Sequence, residues 1–371
     1  MGNSATDGHE VLLRKLDGLA LKAIRRFDLP ATATVKLINL SENATFQVND
    51  PSNGRRWALR VHRIGYHSRR GIASELAWVR ALKSEGVVIT PAPIPGRDGE
   101  CIQTIAVDDL PEPRNTVLFD WEAGAEPANT DVAGFELLGE TAARMHGHVK
   151  RWTPPAWFER HAWNFETSLG ATPHWGRWRD GMGMSPEILA IFERTVALIE
   201  TRLKAFGQSP ARFGLVHGDM RLANLLMDEG KVKVIDFDDC GFSWFLYDCA
   251  TTVSFFEHKP EVPELIAAWV RGYRRVGDLS NEDEAEIETF VMLRRLLLVA
   301  WIGSHSETDL AQSMGVDYTR TTVPLCERYL NRYSNSSACP SRVSAQPEPA
   351  ASKLDRQSGL HAKPPFVLWS R

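Results

Sequence analysis

A chain of 371 residues, 43% hydrophobic and 24% charged, has the composition of an ordinary globular protein and is long enough for two or three compact units. Its net charge of −4 gives no basic footprint for nucleic acid, and no apolar run reaches the roughly 18 residues needed to cross a bilayer. Cys101, Cys240, Cys249, Cys326 and Cys339 form no Cys-x-x-Cys pair, so they read as reduced thiols of a cytoplasmic protein.

In chain order, residues 10–28 carry Leu12, Leu16, Leu19, Ala20, Ala23, Ile24 and Phe27 at helical spacing, and Pro30 ends the run. Three β-type runs follow at 34–40, 44–49 and 56–62, the last two joined by the turn cluster Asp50-Pro51-Ser52-Asn53-Gly54. Residues 70–84 are helical again, with Ile72, Leu76, Val79 and Leu82 on one face, and Pro91, Pro93 and Pro95 stop that pattern. Two more strands are expected near 101–107 and 115–121. Beyond a loop at 124–129 the pattern turns helical, at 133–149, 185–206, 262–275 and 282–303. A short β pair flanks Asp228-Glu229-Gly230, near 224–227 and 231–235. The expectation is an α+β, two-lobed fold. A lobe over 1–120, a small antiparallel sheet with one packed helix, faces a helical lobe over 121–333 across a cleft. Residues 334–371, rich in Ser, Pro and Ala, read as a disordered tail.

The chemistry concentrates in "LVHGDMRLANLLMDEGKVKVIDFDD", residues 215–239. Asp219 follows an apolar strand in a His-Gly-Asp turn, Asn224 lies five positions on, and Asp236 follows the hairpin. A carboxylate beside a hydroxyl, with an amide oxygen and a second carboxylate as hard ligands for Mg²⁺, is the layout of phosphoryl transfer from a nucleoside triphosphate. Either acid alone reads as a turn residue; the spacing of all three reads as catalytic. His217 is expected to hold the turn rather than act as a base. Asp248 is expected to cap a following helix. Asp238 and Asp239 extend the acidic patch. The Trp-, Arg- and His-dense stretch from His146 to Gly181 is expected mainly to pack on the helical lobe.

These segments resemble the aminoglycoside phosphotransferase and choline kinase superfamily, which shares the protein-kinase fold, and are nearest to its homoserine-kinase-type and stress-response-kinase-like branch. "LVHGDMRLANLLM" and "VIDFDD" stand where that superfamily carries its catalytic loop and metal-binding Asp, and "FLYDCA" resembles its Tyr-Asp-Leu-Ala. The resemblance spans roughly residues 30–330. It implies Asp219 as the catalytic Asp, and Asn224 and Asp236 as Mg²⁺ ligands. "WALRVHR" resembles the strand bearing the phosphate-contacting Lys, here Arg60, with Glu75 in the pairing position. Arg is planar and bidentate, not equivalent to Lys. "LSENATFQV" occupies the place of the glycine-rich loop, offering Ser41 and Asn43 to phosphate. "VLFDWEAG" resembles the hinge, offering Phe119, Trp121 and Glu122 to adenine.

The reading is an ATP- and Mg²⁺-dependent kinase acting on a hydroxyl of a small molecule: an amino alcohol, amino acid or sugar. A cationic acceptor would suit Asp238, Asp239 or Glu257. Two rivals stand: a protein Ser/Thr kinase of the stress-response type, and a non-catalytic nucleotide-binding module.

Overall fold

The computed structural model describes residues 3–40, 43–108 and 110–334, with side chains between residues 11 and 333. Ser41 and the tail beyond residue 334 lie outside the described residues.

The chain opens with helix α1 (Asn3–Ile24) and runs into β1 (Thr34–Leu40), β2 (Ala44–Asn49) and β3 (Arg56–Val61). Then come α2 (Arg69–Ser84), β4 (Pro93–Ile94), β5 (Ile102–Ile105) and β6 (Arg114–Asp120). All pairings are antiparallel in the order β1-β2-β3-β6, and β4 and β5 share the far edge of β6. The two-residue period of β3 divides its side chains. Trp57, Leu59 and Val61 join Leu16, Leu19, Ala20 and Ala23 of α1 in one buried cluster, while Ala58 packs on the other side. On that second side α2 buries Ile72 and Leu76 against Ile102, Val117 and Phe119. The sheet is therefore covered by two helices, where one was expected. Ser68 starts α2 by accepting a hydrogen bond from the Gly71 N–H at 2.9 Å.

The second lobe contains α3 (Val132–Val149), α4 (Phe165–Ser168), α5 (Pro186–Phe206), β7 (Phe213–Val216), β8 (Leu225–Asp228), β9 (Lys231–Val234) and β10 (Gly241–Trp244). It closes with α6 (Phe245–Thr252), α7 (Val262–Arg274), α8 (Asn281–Ala285), α9 (Ile287–Ser304) and α10 (Asp309–Ser334). Strands β7 and β10 form one ribbon, β8 and β9 another. The helix expected at 282–303 is two, α8 and α9. Helix α10 was not foreseen: Gly315, at φ 49° and ψ −145°, breaks it, and Pro324 lies inside it. Among the described residues no helix is long and apolar enough to cross a membrane.

Helices α3 and α7 touch backbone to backbone. A Cβ on Gly139 would stand 1.9 Å from the Trp269 carbonyl oxygen, and one on Gly272 would stand 1.8 Å from that of Glu136. This contact sets the height of α3, which carries His146 toward Asp248. Gly139→Ala is expected to force the helices apart, at a cost of about 1–3 kcal/mol. Thermal unfolding checks this, and an unchanged Tm would contradict it.

Candidate active site

The His217-Gly218-Asp219 turn leaves β7 through a left-handed residue, Gly218 at φ 80°. Any side chain there would meet the Asp239 carbonyl oxygen at 2.6 Å. Two buried amides of the turn are held by one buried carboxylate. Asp248 accepts from the His217 N–H at 3.1 Å and the Gly218 N–H at 2.8 Å. Its Oδ2 also accepts from His146 Nε2 of α3 at 3.0 Å. The expectation that Asp248 caps a later helix is corrected: α6 already starts at Phe245, and the side chain turns inward to the His217-Gly218-Asp219 turn. His217 is structural, as expected. Its Nδ1 accepts from the Asp219 N–H at 3.2 Å, so its Nε2 donates to the Ile235 carbonyl at 3.1 Å.

Asp219 is enclosed by donors. Arg294 of α9 donates to its Oδ1 at 2.5 Å, while Asn224 Nδ2 and Arg221 Nε donate to its Oδ2 at 2.8 and 3.1 Å. Burial on its own would raise this carboxyl's pKa, but the Arg294 and Arg221 guanidiniums outweigh burial and hold it below the usual aspartate range. Arg294 also contacts the Tyr247 hydroxyl and the Ser254 hydroxyl.

Asn224 gives its amide N–H to Asp219, which leaves its amide oxygen for another partner. Asp236 sits at φ 61°, a left-handed position uncommon outside glycine, and its side chain is 41% exposed. Its Oδ1 accepts from Arg60 Nη2 at 2.8 Å. Both residues line the same cavity. A neutral amide oxygen and an ionisable carboxylate oxygen on one wall are the hard donors that suit Mg²⁺, which completes its shell from water and phosphate.

Arg60 of β3 is buried and pairs with Glu75 of α2 at 2.7 Å, as the sequence implied. It also reaches Asp236 and, at 3.4 Å, Asp238. Burial opposes its charge, yet the carboxylates of Glu75, Asp236 and Asp238 raise its pKa above the ordinary arginine value. Asn43 donates to Asp238 at 2.7 Å and accepts from the Arg63 N–H at 3.0 Å, so both ends of its amide serve the cleft's framework.

Two cavities meet here. One, of about 520 Å³, has apolar walls that include Ile38, Ala58, Leu226 and Ile235, and is edged by Phe119, Trp121 and Glu122 of the hinge. Arg60, Glu75, Asn224 and Asp236 lie at its polar end. The other, of about 680 Å³, holds Asp219, Asp239, Trp175, Phe255, Trp301 and Arg294. Arg221, Ile38 and Asn39 line both, so these residues stand where they join. Phe255 is a further left-handed residue, at φ 75°.

The three acids offered for a cationic acceptor all have partners, and they differ in whether they line a cavity. Glu257 is buried against Arg295 at 2.6 Å and the Tyr318 hydroxyl at 3.1 Å. Asp238 is buried among Arg60, His62, His67 and Asn43. Asp239 alone lines the larger cavity, accepting from Tyr66, whose own oxygen accepts from Trp175 Nε1 at 2.9 Å. Trp175, in the stretch expected mainly to pack, belongs to the buried core and also lines this cavity. Arg221 and Arg294, the two cations on Asp219, were missed. The available signal was a pair of arginines inside the apolar run 287–302 of α9, where a charge persists only with a partner.

Comparison with known proteins gives concordant matches. The model of the phosphotransferase enzyme family (APH) matches residues 34–286. The solved structure of a microcompartment-associated aminopropanol kinase is 42% identical, with a TM-score of 0.79, over 85% of this chain and 98% of that one. An amicoumacin kinase solved with AMP-PNP, Ca²⁺ and amicoumacin shares the fold at 20% identity and a TM-score of 0.68, over 88% of this chain and 96% of that one. A homoserine kinase of Gluconobacter oxydans (strain 621H) is 26% identical over 68% of this chain and 79% of its own length.

Asp248→Ala would leave two buried N–H groups without an acceptor, at about 1–3 kcal/mol each. We expect a lower Tm together with a fall in turnover, and an intermediate effect for Asp248→Asn, which keeps one acceptor oxygen. Denaturant unfolding and steady-state kinetics check this; an Ala variant as stable and active as the parent would contradict it.

Proposed function

The chain belongs to the phosphotransferase enzyme family, and from that membership we propose that it is a kinase that moves the γ-phosphoryl group of ATP, with Mg²⁺, to the hydroxyl of a small amino alcohol. The observation that carries this reading is the partition at Arg221. Asp219 faces one cavity, Asn224 and Asp236 face the other, and the transferring group would pass between them.

In this reading ATP occupies the smaller cavity with its base along Phe119 to Glu122. Asn224 and Asp236 hold Mg²⁺, which when bound neutralises charge on the triphosphate. Arg60, kept in place by Glu75, lies at the phosphate end. The acceptor hydroxyl donates its hydrogen bond to the ionised Asp219, which aims the oxygen at phosphorus. That oxygen forms the new P–O bond as the bond to the β-phosphate oxygen breaks and ADP leaves. The hydroxyl proton departs through Asp219. Arg221 lends positive charge to the group in transit. Asp239 receives the acceptor's ammonium, with Trp175 and Trp301 beside it as aromatic faces. The aminopropanol kinase resemblance supports the same acceptor class. Buried, free Cys101, Cys240, Cys249 and Cys326 fit action in the cytoplasm.

The protein-kinase rival is less well supported. Between Asp236 and α6 only residues 237–244 intervene, and they include β10, so no long segment is available to present a peptide. The division of labour proposed here is a two-lobed one, with residues 1–120 carrying the nucleotide's phosphate contacts and 121–333 the acceptor.

Asp219→Asn is expected to lower kcat by about 10²–10⁴-fold while ATP binding persists, read by ADP release over a panel of amino alcohols, hydroxy amino acids and sugars. Binding without turnover on any acceptor would favour the non-catalytic module. Because Arg294 and Arg221 depress the Asp219 pKa, its ionised form persists as pH falls. The acid limb of kcat is therefore expected below the ordinary aspartate value of about 3.9, and a limb near neutrality would contradict the assignment. Arg221→Gln is expected to cost about 10²-fold in kcat, partly recovered by Arg221→Lys, with the KM for ATP nearly unchanged.

A further inference from the structure

Helix α2 carries Glu75, the partner that holds Arg60, and its first turns are gripped from the second lobe. The grip comes from residues 159–163, inside the Trp-, Arg- and His-dense stretch expected mainly to pack. This segment is itself fixed to β10 and the residues before it. The His161 carbonyl accepts from the Phe242 N–H at 2.9 Å, and the Trp163 N–H donates to the Phe242 carbonyl at 2.8 Å. Trp163 Nε1 donates to the Asp239 carbonyl at 2.8 Å. From that anchorage two neighbouring residues reach α2. The Glu159 N–H donates to Ser74 Oγ at 2.8 Å, and Ser68 Oγ donates to Glu159 Oε1 at 2.9 Å. Arg160 is buried, and each of its three nitrogens donates to a backbone carbonyl. Nη1 reaches Gly71 of α2 at 3.1 Å, Nε reaches Cys240 at 2.6 Å, and Nη2 reaches Asp238. One guanidinium thus bonds α2 and the loop that follows Asp236 at once.

These contacts close a ring. Gly71 lies one helical turn before Glu75, on the same face of α2. Glu75 holds Arg60 at 2.7 Å, and Arg60 reaches the carboxylates of Asp236 and Asp238. Asp238 is therefore taken twice, at its carbonyl by Arg160 and at its side chain by Arg60. Burying a charge costs free energy, and packing alone gives no reason for a guanidinium here. What the planar fork supplies is donors at fixed angles, which an apolar side chain or a Lys does not. We propose that Arg160 is a positioning residue for the phosphates of the nucleotide. It sets the separation of α2 from the loop at residues 236–240, and with it the place at which Glu75 presents Arg60 beside Asp236. The inference rests on the reading above of Arg60 and Asp236 as phosphate and metal contacts, and it is independent of the acceptor.

The test uses the full chain with Arg160→Gln, Arg160→Lys and Ser74→Ala, each checked for folding by thermal melting. Calorimetry without any acceptor measures the Kd of AMP-PNP with Mg²⁺ and the Kd of adenosine, which has no phosphates. Arg160→Gln is expected to raise the Kd of AMP-PNP about tenfold and that of adenosine by less than about twofold. Arg160→Lys is expected to recover part of the loss, and Ser74→Ala to shift the same ratio by about threefold. In a Glu75→Gln background, Arg160→Gln is expected to add less than about twofold, because the ring is already open. A merely structural role weakens both ligands alike and adds in full to Glu75→Gln. Either of those results, or an unchanged Kd for AMP-PNP, overturns the proposal. If Arg160→Gln fails to fold, Arg160→Lys and Ser74→Ala decide by the same ratio. A parent chain that binds neither ligand defeats the ATP reading and this role with it. A parent that binds both, with a ratio that stays fixed in the variants, defeats the role of Arg160 alone.

Discussion

A buried guanidinium holds the two lobes in register. Arg60 comes from the sheet, Glu75 from the helix behind it, and Asp236 and Asp238 from across the cleft. An uncompensated charge in such a place is costly by several kcal/mol, so the lobes cannot separate at this point without water or a ligand replacing what they lose. The arrangement ties the geometry of the cleft to that of the site. Asp236, proposed as a metal ligand, shares its carboxylate with Arg60, proposed to meet phosphate. In the proposed reading a triphosphate would offer Arg60 an alternative set of oxygens, so the contact between the lobes is of the kind a nucleotide could take over.

The His217-Gly218-Asp219 turn depends on a buried carboxylate, this time from behind. Asp248 satisfies two amides that would otherwise be stranded, and His146 fixes the orientation of Asp248 from α3. The height of α3 is in turn set by its glycine contact with α7. Asp219 is thus positioned through a chain of close contacts running from a helix crossing to a hydrogen-bonded carboxylate to a left-handed glycine. On its exposed side Arg294 and Arg221 keep the carboxylate ionised. A carboxylate so stabilised is a weak base, which suits a reaction in which little proton transfer is needed before the P–O bond breaks and alignment contributes most.

Much of the fold was legible because its signals are local. Strands β1 and β2 fall on the residues expected from alternation and turn chemistry, and α2, α3, α5 and α7 lie within a residue or so of their periodic runs. That Asn224 would meet Asp219, and that Asp236 would line the same cavity as Asn224, was legible for the same reason: the three lie within one short span. What escaped the sequence is non-local. Asp248 reads locally as a cap, but its partners are residues 146, 217 and 218, far away along the chain. Nothing near Asp238 or Glu257 in sequence says that each is buried against an arginine, since Arg60 and Arg295 reach them from other elements. Helix α10 was lost to Gly315 and Pro324, which interrupt the period that would have revealed it.

The residues gathered around Asp219 and Asp236 divide in the same way. Asp219, Arg221, Asn224 and Asp236 lie close together within the family-matched span, where one turn and one hairpin fix their relative geometry. Arg60 and Glu75 come from far earlier in the chain, and Arg294, which donates to Asp219, lies outside that span altogether. A motif-based reading finds the first group because its spacing is local, and it passes over Arg294 because only the completed fold brings α9 to the same carboxylate.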